Sequence, residues 1–198
     1  MKGRQIVIGQ VFGRDAAALM QDGRLEDLIV DPSGVMPFAP GAICRAKVDR
    51  LIKGQGGVFL RLPDGAQGFL RDRGGLREGQ PLIVQITGSA EDGKAIPVSA
   101  RLNFRGRHVI VTPSAPGVNV SRRIRDPETR AALTEIGEAA IADLPEPPGI
   151  VFRSITAQAD LDEVAAELRE LLDLAAAIQS DNQGAPELLL DAPDPAEA

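Results

Sequence analysis

The chain has 198 residues, 43% of them apolar, a net charge of −6, one cysteine and one histidine. That length supports one compact core or two small ones, and no run approaches the roughly 20 apolar residues of a membrane helix. A single thiol excludes an internal disulfide and any zinc site built from several thiolates. With an N-terminus, MKGRQIVIGQ, that has no signal-peptide apolar region, it points to a cytoplasmic protein without a membrane role.

In chain order, residues 5–11, 16–20 and 25–30 read as strands, the last two joined by Asp22-Gly23, which makes a meander. A loop rich in proline and glycine, from Pro32-Ser33-Gly34 to Pro40-Gly41, marks a domain boundary. Five short strands follow at 42–51, 58–62, 68–70, 82–87 and 96–102. They are broken by Lys53-Gly54-Gln55-Gly56-Gly57, Pro63-Asp64-Gly65 and Glu91-Asp92-Gly93, a spacing that favours a small closed barrel of the OB type over a sandwich. Cys44 in the first of these strands reads as a plain barrel residue rather than a reactive thiol.

The pattern then turns α/β. A strand at 107–112, a loop at 113–119, a helix at 126–142, a strand at 150–155 and a helix at 159–179 are expected. Asp126 with Pro127 behind it, and Asp160, are the natural caps of the two helices. Residues 181–198 contain one apolar run, Leu188–Leu190, and otherwise read as a fraying tail or the start of a continuation. The fold class is thus α+β, a five-stranded OB barrel inserted between a strand meander and an α/β region.

Charge is distributed unevenly along this plan. Residues 1–39 carry 4 Lys/Arg against 5 Asp/Glu, residues 40–125 carry 15 against 6, and residues 126–198 carry 3 against 17. A stretch at +9 inside an acidic chain is either a footprint for RNA phosphates or a solvated basic face, and charge alone does not separate the two.

Six aromatics occur, all phenylalanine, and Phe59 and Phe69 lie in adjacent barrel strands within the basic segment. They either stack bases on an exposed sheet face or fill the barrel core, and the residues alone favour core. Lys94 in the turn after Gly93, with Arg61, Arg71, Arg73 and Arg77, could line a groove that follows phosphates, although each taken singly reads as a surface charge. Ser121-Arg122-Arg123-Ile124-Arg125 sets two guanidiniums side by side after a glycine-containing loop, and planar forks of donors suit phosphate. In Phe152-Arg153-Ser154 a charge leaves an apolar strand with a hydroxyl beside it, at a position where α/β layers often hold ligands. His108 is alone and reads as structural. No nucleophile–base pair, Walker loop or Rossmann glycine motif is present, and the carboxylates lie on helices and in the tail rather than converging as a two-metal nuclease requires.

Taken in order, Gly57-Val58-Phe59-Leu60, Gly68-Phe69-Leu70, Leu76-Arg77-Glu78-Gly79-Gln80, Leu82-Ile83-Val84-Gln85-Ile86, Gly93-Lys94, Val118-Asn119-Val120-Ser121-Arg122-Arg123-Ile124 and Gly149-Ile150-Val151-Phe152-Arg153-Ser154 resemble the N-terminal region of bacterial ribonuclease E/G. The resemblance implies that residues 1–35 begin an RNase-H-like subdomain, 36–102 form an OB barrel of the ribosomal-protein S-one type, 103–180 form a 5′-end sensor, and 181–198 are a tail or the start of a continuation. It implies RNA contact by Phe59, Phe69 and Lys94, which reverses the preference for core. It also implies a 5′-monophosphate pocket from Gly106, Ile110, Arg122, Arg153 and Ser154, the last standing where the family usually has threonine. The family's catalytic domain, its magnesium-binding aspartates and its zinc-linking cysteines lie beyond the matched region. No catalytic residue, metal site or cofactor is therefore expected in this chain, and magnesium belongs to the absent domain. The implied role is binding of single-stranded RNA with a 5′-monophosphate as part of an endoribonuclease of RNA processing or decay, inactive alone and oligomeric only at full length. The alternative is a stand-alone RNA-binding protein.

Overall fold

The computed structural model describes residues 3–31, 38–52, 56–71, 74–90 and 93–193. The first segment is an antiparallel meander of β1 (Arg4–Val11), β2 (Arg14–Gln21) and β3 (Arg24–Val30). Its two turns are Phe12-Gly13 and Asp22-Gly23, with φ of 53° and 76° in the first and 51° and 82° in the second. Positive φ at both central residues is the type I′ geometry, whose twist matches that of the flanking strands. Ile6, Ile8 and Phe12 are exposed, and Ala16 is the one buried residue among those described in this sheet. The interdomain loop expected at Pro32-Ser33-Gly34 lies outside the described residues.

Five strands then close a barrel: β4 (Ile43–Leu51), β5 (Val58–Arg61), β6 (Gln67–Leu70), β7 (Pro81–Ile86) and β8 (Ile96–Ser99). Their order is β4-β5-β6-β8-β7, and β7 pairs back onto β4. The β6–β8 pair is parallel and the others are antiparallel. This is the mixed, OB-like barrel that strand spacing predicts. Cys44, Ala46, Val48, Val58, Leu60, Leu70, Val84, Ile86 and Val98 alternate inward and fill it.

Strand β4 is long enough to serve both neighbours, and it bends to do so. Val48 faces Leu60 while Arg50 faces Phe59, so Asp49 is an extra residue, a β-bulge. The bulge reverses the side-chain parity of the strand. Without it Arg50 would point inward with Val48; with it Arg50 lies outside and Leu51 packs against the barrel core.

The remaining chain builds a four-stranded sheet from β9 (Phe104–Arg105), β10 (Val109–Thr112), β11 (Gly117–Val120) and β12 (Gly149–Phe152), in the order β11-β12-β10-β9. Helices α1 (Pro127–Ile141) and α2 (Leu161–Ser180) pack on it. Asp126 caps α1, its side chain accepting from Thr129 N at 2.8 Å, and Asp160 caps α2, accepting from Asp162 N at 2.7 Å. Leu133, Val164 and Leu168 bury against Val109, Val111, Ile150 and Phe152.

Several boundaries differ from the sequence expectation. The strand expected at 96–102 stops at Ser99, and the one expected from 107 starts at Val109. The loop expected at 113–119 ends in β11, whose four residues gain a ladder by lying parallel to β12. The strand expected to reach 155 stops at Phe152, and Ser154–Gln158 turn as a 3-10 helix. Most consequentially, the expected fraying tail contains β13 (Glu187–Leu190), which adds to the outside of the barrel antiparallel to β4, Glu187 opposite Arg45 and Leu190 opposite Ile43.

That addition explains why Arg45 is buried on a barrel strand. Its guanidinium donates to Ala185 O at 2.8 Å and Asp181 O at 3.0 Å, and forms ion pairs with Asp181 and Glu187. Next to it, Ile43 is fully buried in the core of the α/β sheet, while Cys44 lies in the barrel core. One strand therefore serves two cores with alternate residues.

Candidate functional site

The two barrel phenylalanines are cross-strand partners, Phe59 on β5 facing Phe69 on β6. Both are partly exposed and neither belongs to the barrel core. Their ring centroids are 5.5 Å apart and the planes are inclined by 55°. Gly57 is needed for this arrangement, because a Cβ there would lie 2.6 Å from the Phe69 ring. The core reading favoured by the residues alone therefore fails on geometry. Parity explains this: Val58, Leu60 and Leu70 take the interior, so residues 59 and 69 must point out.

Two neighbours extend the row. Pro97 on β8 lies beside Phe69 in the parallel register, and on the other side the Arg50 guanidinium carbon sits 4.5 Å from the Phe59 centroid. Lys94 is exposed just ahead of β8. Arg61 is held by Asp49 at 3.1 Å, Arg71 and Arg77 are exposed, and Arg73 lies outside the described residues.

The second candidate surface is one end of the α/β sheet. Strands β11 and β12 run parallel, with Val120 beside Phe152, so both carboxyl ends finish at the same edge. Arg122 follows one strand by two residues and Arg153-Ser154 follow the other directly. Strand β10 is antiparallel to β12, with Val109 opposite Phe152, so the preceding Gly106-Arg107-His108 turn reaches that edge as well. Four of the five residues expected in the phosphate pocket are thus collected by topology. Ile110 is set one register step back, opposite Val151, and lines a cleft of about 740 Å³ with Ile29, Gln85 and Arg105 rather than with Arg153.

At the edge, Arg153 Nη1 donates to Gly106 O at 2.8 Å and Arg107 O at 3.1 Å. Arg153 N donates to His108 O at 2.8 Å, and Thr156 Oγ1 donates to the same carbonyl at 3.0 Å. Arg122 and Ser154 are exposed. Ser121 N donates to Phe152 O at 2.9 Å, which anchors the arginine turn to the end of β12.

Two residues that sequence reasoning leaves out hold these turns. Arg130 on α1 donates to Ser121 O at 2.9 Å and Ile124 O at 3.0 Å, gathering the turn that carries Arg122 and Arg123. Glu167 on α2 accepts from His108 N at 2.8 Å and Val109 N at 2.9 Å, with His108 Nδ1 2.8 Å from its second oxygen. A Cβ on residue 106 would lie 2.1 Å from a Glu167 oxygen, so any larger residue there displaces the carboxylate from these bonds. A signal for Glu167 exists in the sequence: it falls three residues after Val164, on the apolar stripe, where an unpaired carboxylate would be costly. Arg130 has no such signal.

Among the described residues no group of three or more His, Cys, Asp or Glu side chains could hold a metal ion, and no helix is long and apolar enough to cross a membrane. Cys44 is fully buried, and burial, with the Asp191 carboxylate second, pushes its thiol up to about 12.

Comparison with known proteins agrees with the resemblance. Residues 103–198 match the model of the Ribonuclease E/G family. The chain is 26% identical over 178 residues to Ribonuclease E of Synechocystis sp., an alignment covering 82% of this chain and 25% of that protein. It is 24% identical over 171 residues to a Ribonuclease E/G-like protein of Pyropia yezoensis, covering 78% and 32% respectively. The chain thus spans about a quarter to a third of the length of these curated relatives. Over residues 103–198 the chain is thus similar to the ribonuclease E/G family, as its motifs lead one to expect.

Proposed function

We propose that this chain binds single-stranded RNA in the cytoplasm and reads a 5′-monophosphate end, serving a ribonuclease E/G-like endoribonuclease of RNA processing or decay. On this reading Phe59 and Phe69 stack bases and Lys94 contacts the strand. Arg153, Ser154 and Arg122, with backbone from Gly106 and Ile110, take the terminal phosphate. The cleavage chemistry and its magnesium belong to the family's catalytic domain, and residues of this chain do no more than bind and orient.

The observation that carries the reading is the parallel register of β11 and β12, which brings Arg122 and Arg153 to the same sheet edge. A terminal phosphate offers more charge and more acceptor oxygens than an internal one, and guanidinium forks carried just beyond adjacent strand ends suit that difference. Both Arg153 side-chain bonds to the turn use Nη1, so the fork is braced through one nitrogen.

The test is competition binding with oligoribonucleotides carrying a 5′-monophosphate, a 5′-hydroxyl or a 5′-triphosphate. Wild type should prefer the monophosphate, and Arg153→Ala should bind all three alike. Equal binding of the three by wild type removes the end-sensing role, and failure to bind any of them removes the RNA reading.

A further inference from the structure

Resting on the RNA-binding reading of the barrel, we infer that Arg50 is the phosphate-holding residue of the base-stacking platform, gripping the backbone of the nucleotide that stacks on Phe59. The row across the barrel exterior is Arg50, Phe59, Phe69 and Pro97, contributed by β4, β5, β6 and β8 in register. Four strands about 4.8 Å apart make a row roughly 14 Å long, room for about two stacked bases.

Arg50 belongs to this row only because of the Asp49 bulge. Simple alternation along β4 would turn it toward the core beside Val48, a costly place for a guanidinium. The bulge instead sets it over the Phe59 ring at 4.5 Å. A guanidinium and a base both favour an aromatic face, so the two compete for the side of the ring that Arg50 covers. The arginine side chain is exposed and long, and can slide from ring to phosphate when a base arrives.

Its charge is also unmatched among the described residues. Arg61, on the neighbouring strand, is neutralised by Asp49 at 3.1 Å, whereas no carboxylate among the described residues lies within ion-pair distance of Arg50. Aromatic faces beside an exposed cation fit a flat base joined to an anionic phosphate, and any base sequence satisfies them.

The experiment measures binding of a fluorescent oligoadenylate with a 5′-hydroxyl end, which leaves the end-sensing edge out, by the full chain across a salt series. Arg50→Ala should weaken binding about two- to fivefold, the worth of one solvent-exposed charge contact, here to the phosphate. It should also reduce the slope of log affinity against log salt by about 0.7, one phosphate contact on a single strand. Arg50→Lys should keep the slope while losing affinity, since an ammonium holds charge without the planar face. Arg61→Ala should change the slope less.

An unchanged slope in Arg50→Ala, with binding still weakened by Phe59→Ala, overturns the assignment. So does an equal slope change in Arg61→Ala, which would reduce the effect to general basic surface. Binding indifferent to Phe59→Ala and Phe69→Ala would instead overturn the platform itself. Circular dichroism of each variant should be that of wild type, because Arg50 is exposed and outside both cores.

Discussion

Glu167 grips His108 twice, accepting its backbone N–H at 2.8 Å through one oxygen and lying 2.8 Å from its Nδ1 through the other. The adjacent Val109 N–H is taken as well. A side chain on α2 thus shapes the turn whose carbonyls brace Arg153, and the lone histidine is part of that turn.

Removing this carboxylate leaves two buried N–H groups without their acceptor and a ring nitrogen without its partner. Glu167→Ala should destabilise the chain by about 1–3 kcal/mol, the cost of orphaned buried donors, read from the urea midpoint. Because Arg153 loses its braced turn, the preference for 5′-monophosphate RNA should fall in parallel. Retained stability would contradict the role given to these bonds.

Gly106→Ala tests the same contact from the other side. Its new Cβ would meet a Glu167 oxygen at 2.1 Å, so the carboxylate must move and the hydrogen bonds break. The alanine should be destabilising alone and nearly neutral in a Glu167→Ala background, since coupled sites are not additive. Additive urea midpoints in the double variant would count against this.

Phe59→Ala and Phe69→Ala should each weaken single-stranded RNA binding by roughly 1–3 kcal/mol, the usual size of a lost base stack. Thermal unfolding should change little, because neither ring is in the barrel core. Cooperative unfolding at a sharply lower temperature would return both rings to a structural role.

Arg45→Ala should release the last strand from the barrel. The arginine is buried while Asp181 and Glu187 are about half exposed, so a loss of about 1–3 kcal/mol is expected, below that of a fully buried pair. Amide exchange at Leu188 and Leu190 should accelerate selectively. Uniform acceleration across β5 and β6 would instead mean that the barrel itself depends on the latch.

Cys44 gives a prediction in pH. Its folded thiol is pushed up to about 12 from an ordinary value of 9.0, chiefly by burial. The unfolded thiol ionises first, so this contribution to stability is complete below 9.0 and is lost as pH rises toward 12. Cys44→Ser or Cys44→Ala should flatten the alkaline fall in stability, and native Cys44 should resist alkylation at pH 8 until denaturant is added. Rapid alkylation of the folded chain would refute the burial argument.

Local chemistry determined much of this molecule. The caps Asp126 and Asp160 mark their helices within a residue or two, Asp22-Gly23 makes the hairpin turn it announces, and the glycine-punctuated strands from 42 to 102 close as an OB-like barrel. These follow from short-range rules, and so does the strand-end position of Arg153. Tertiary structure alone decided which way Phe59 and Phe69 face, because inward and outward parity depends on neighbours that fill the barrel. It decided that Arg50 lies outside, since a one-residue bulge leaves no mark in composition. It alone recruited β11 and β13, four-residue segments too short to form without the strands they join. Arg130 and Glu167 stayed hidden for the same reason: each acts on a turn that the chain brings to it only when folded.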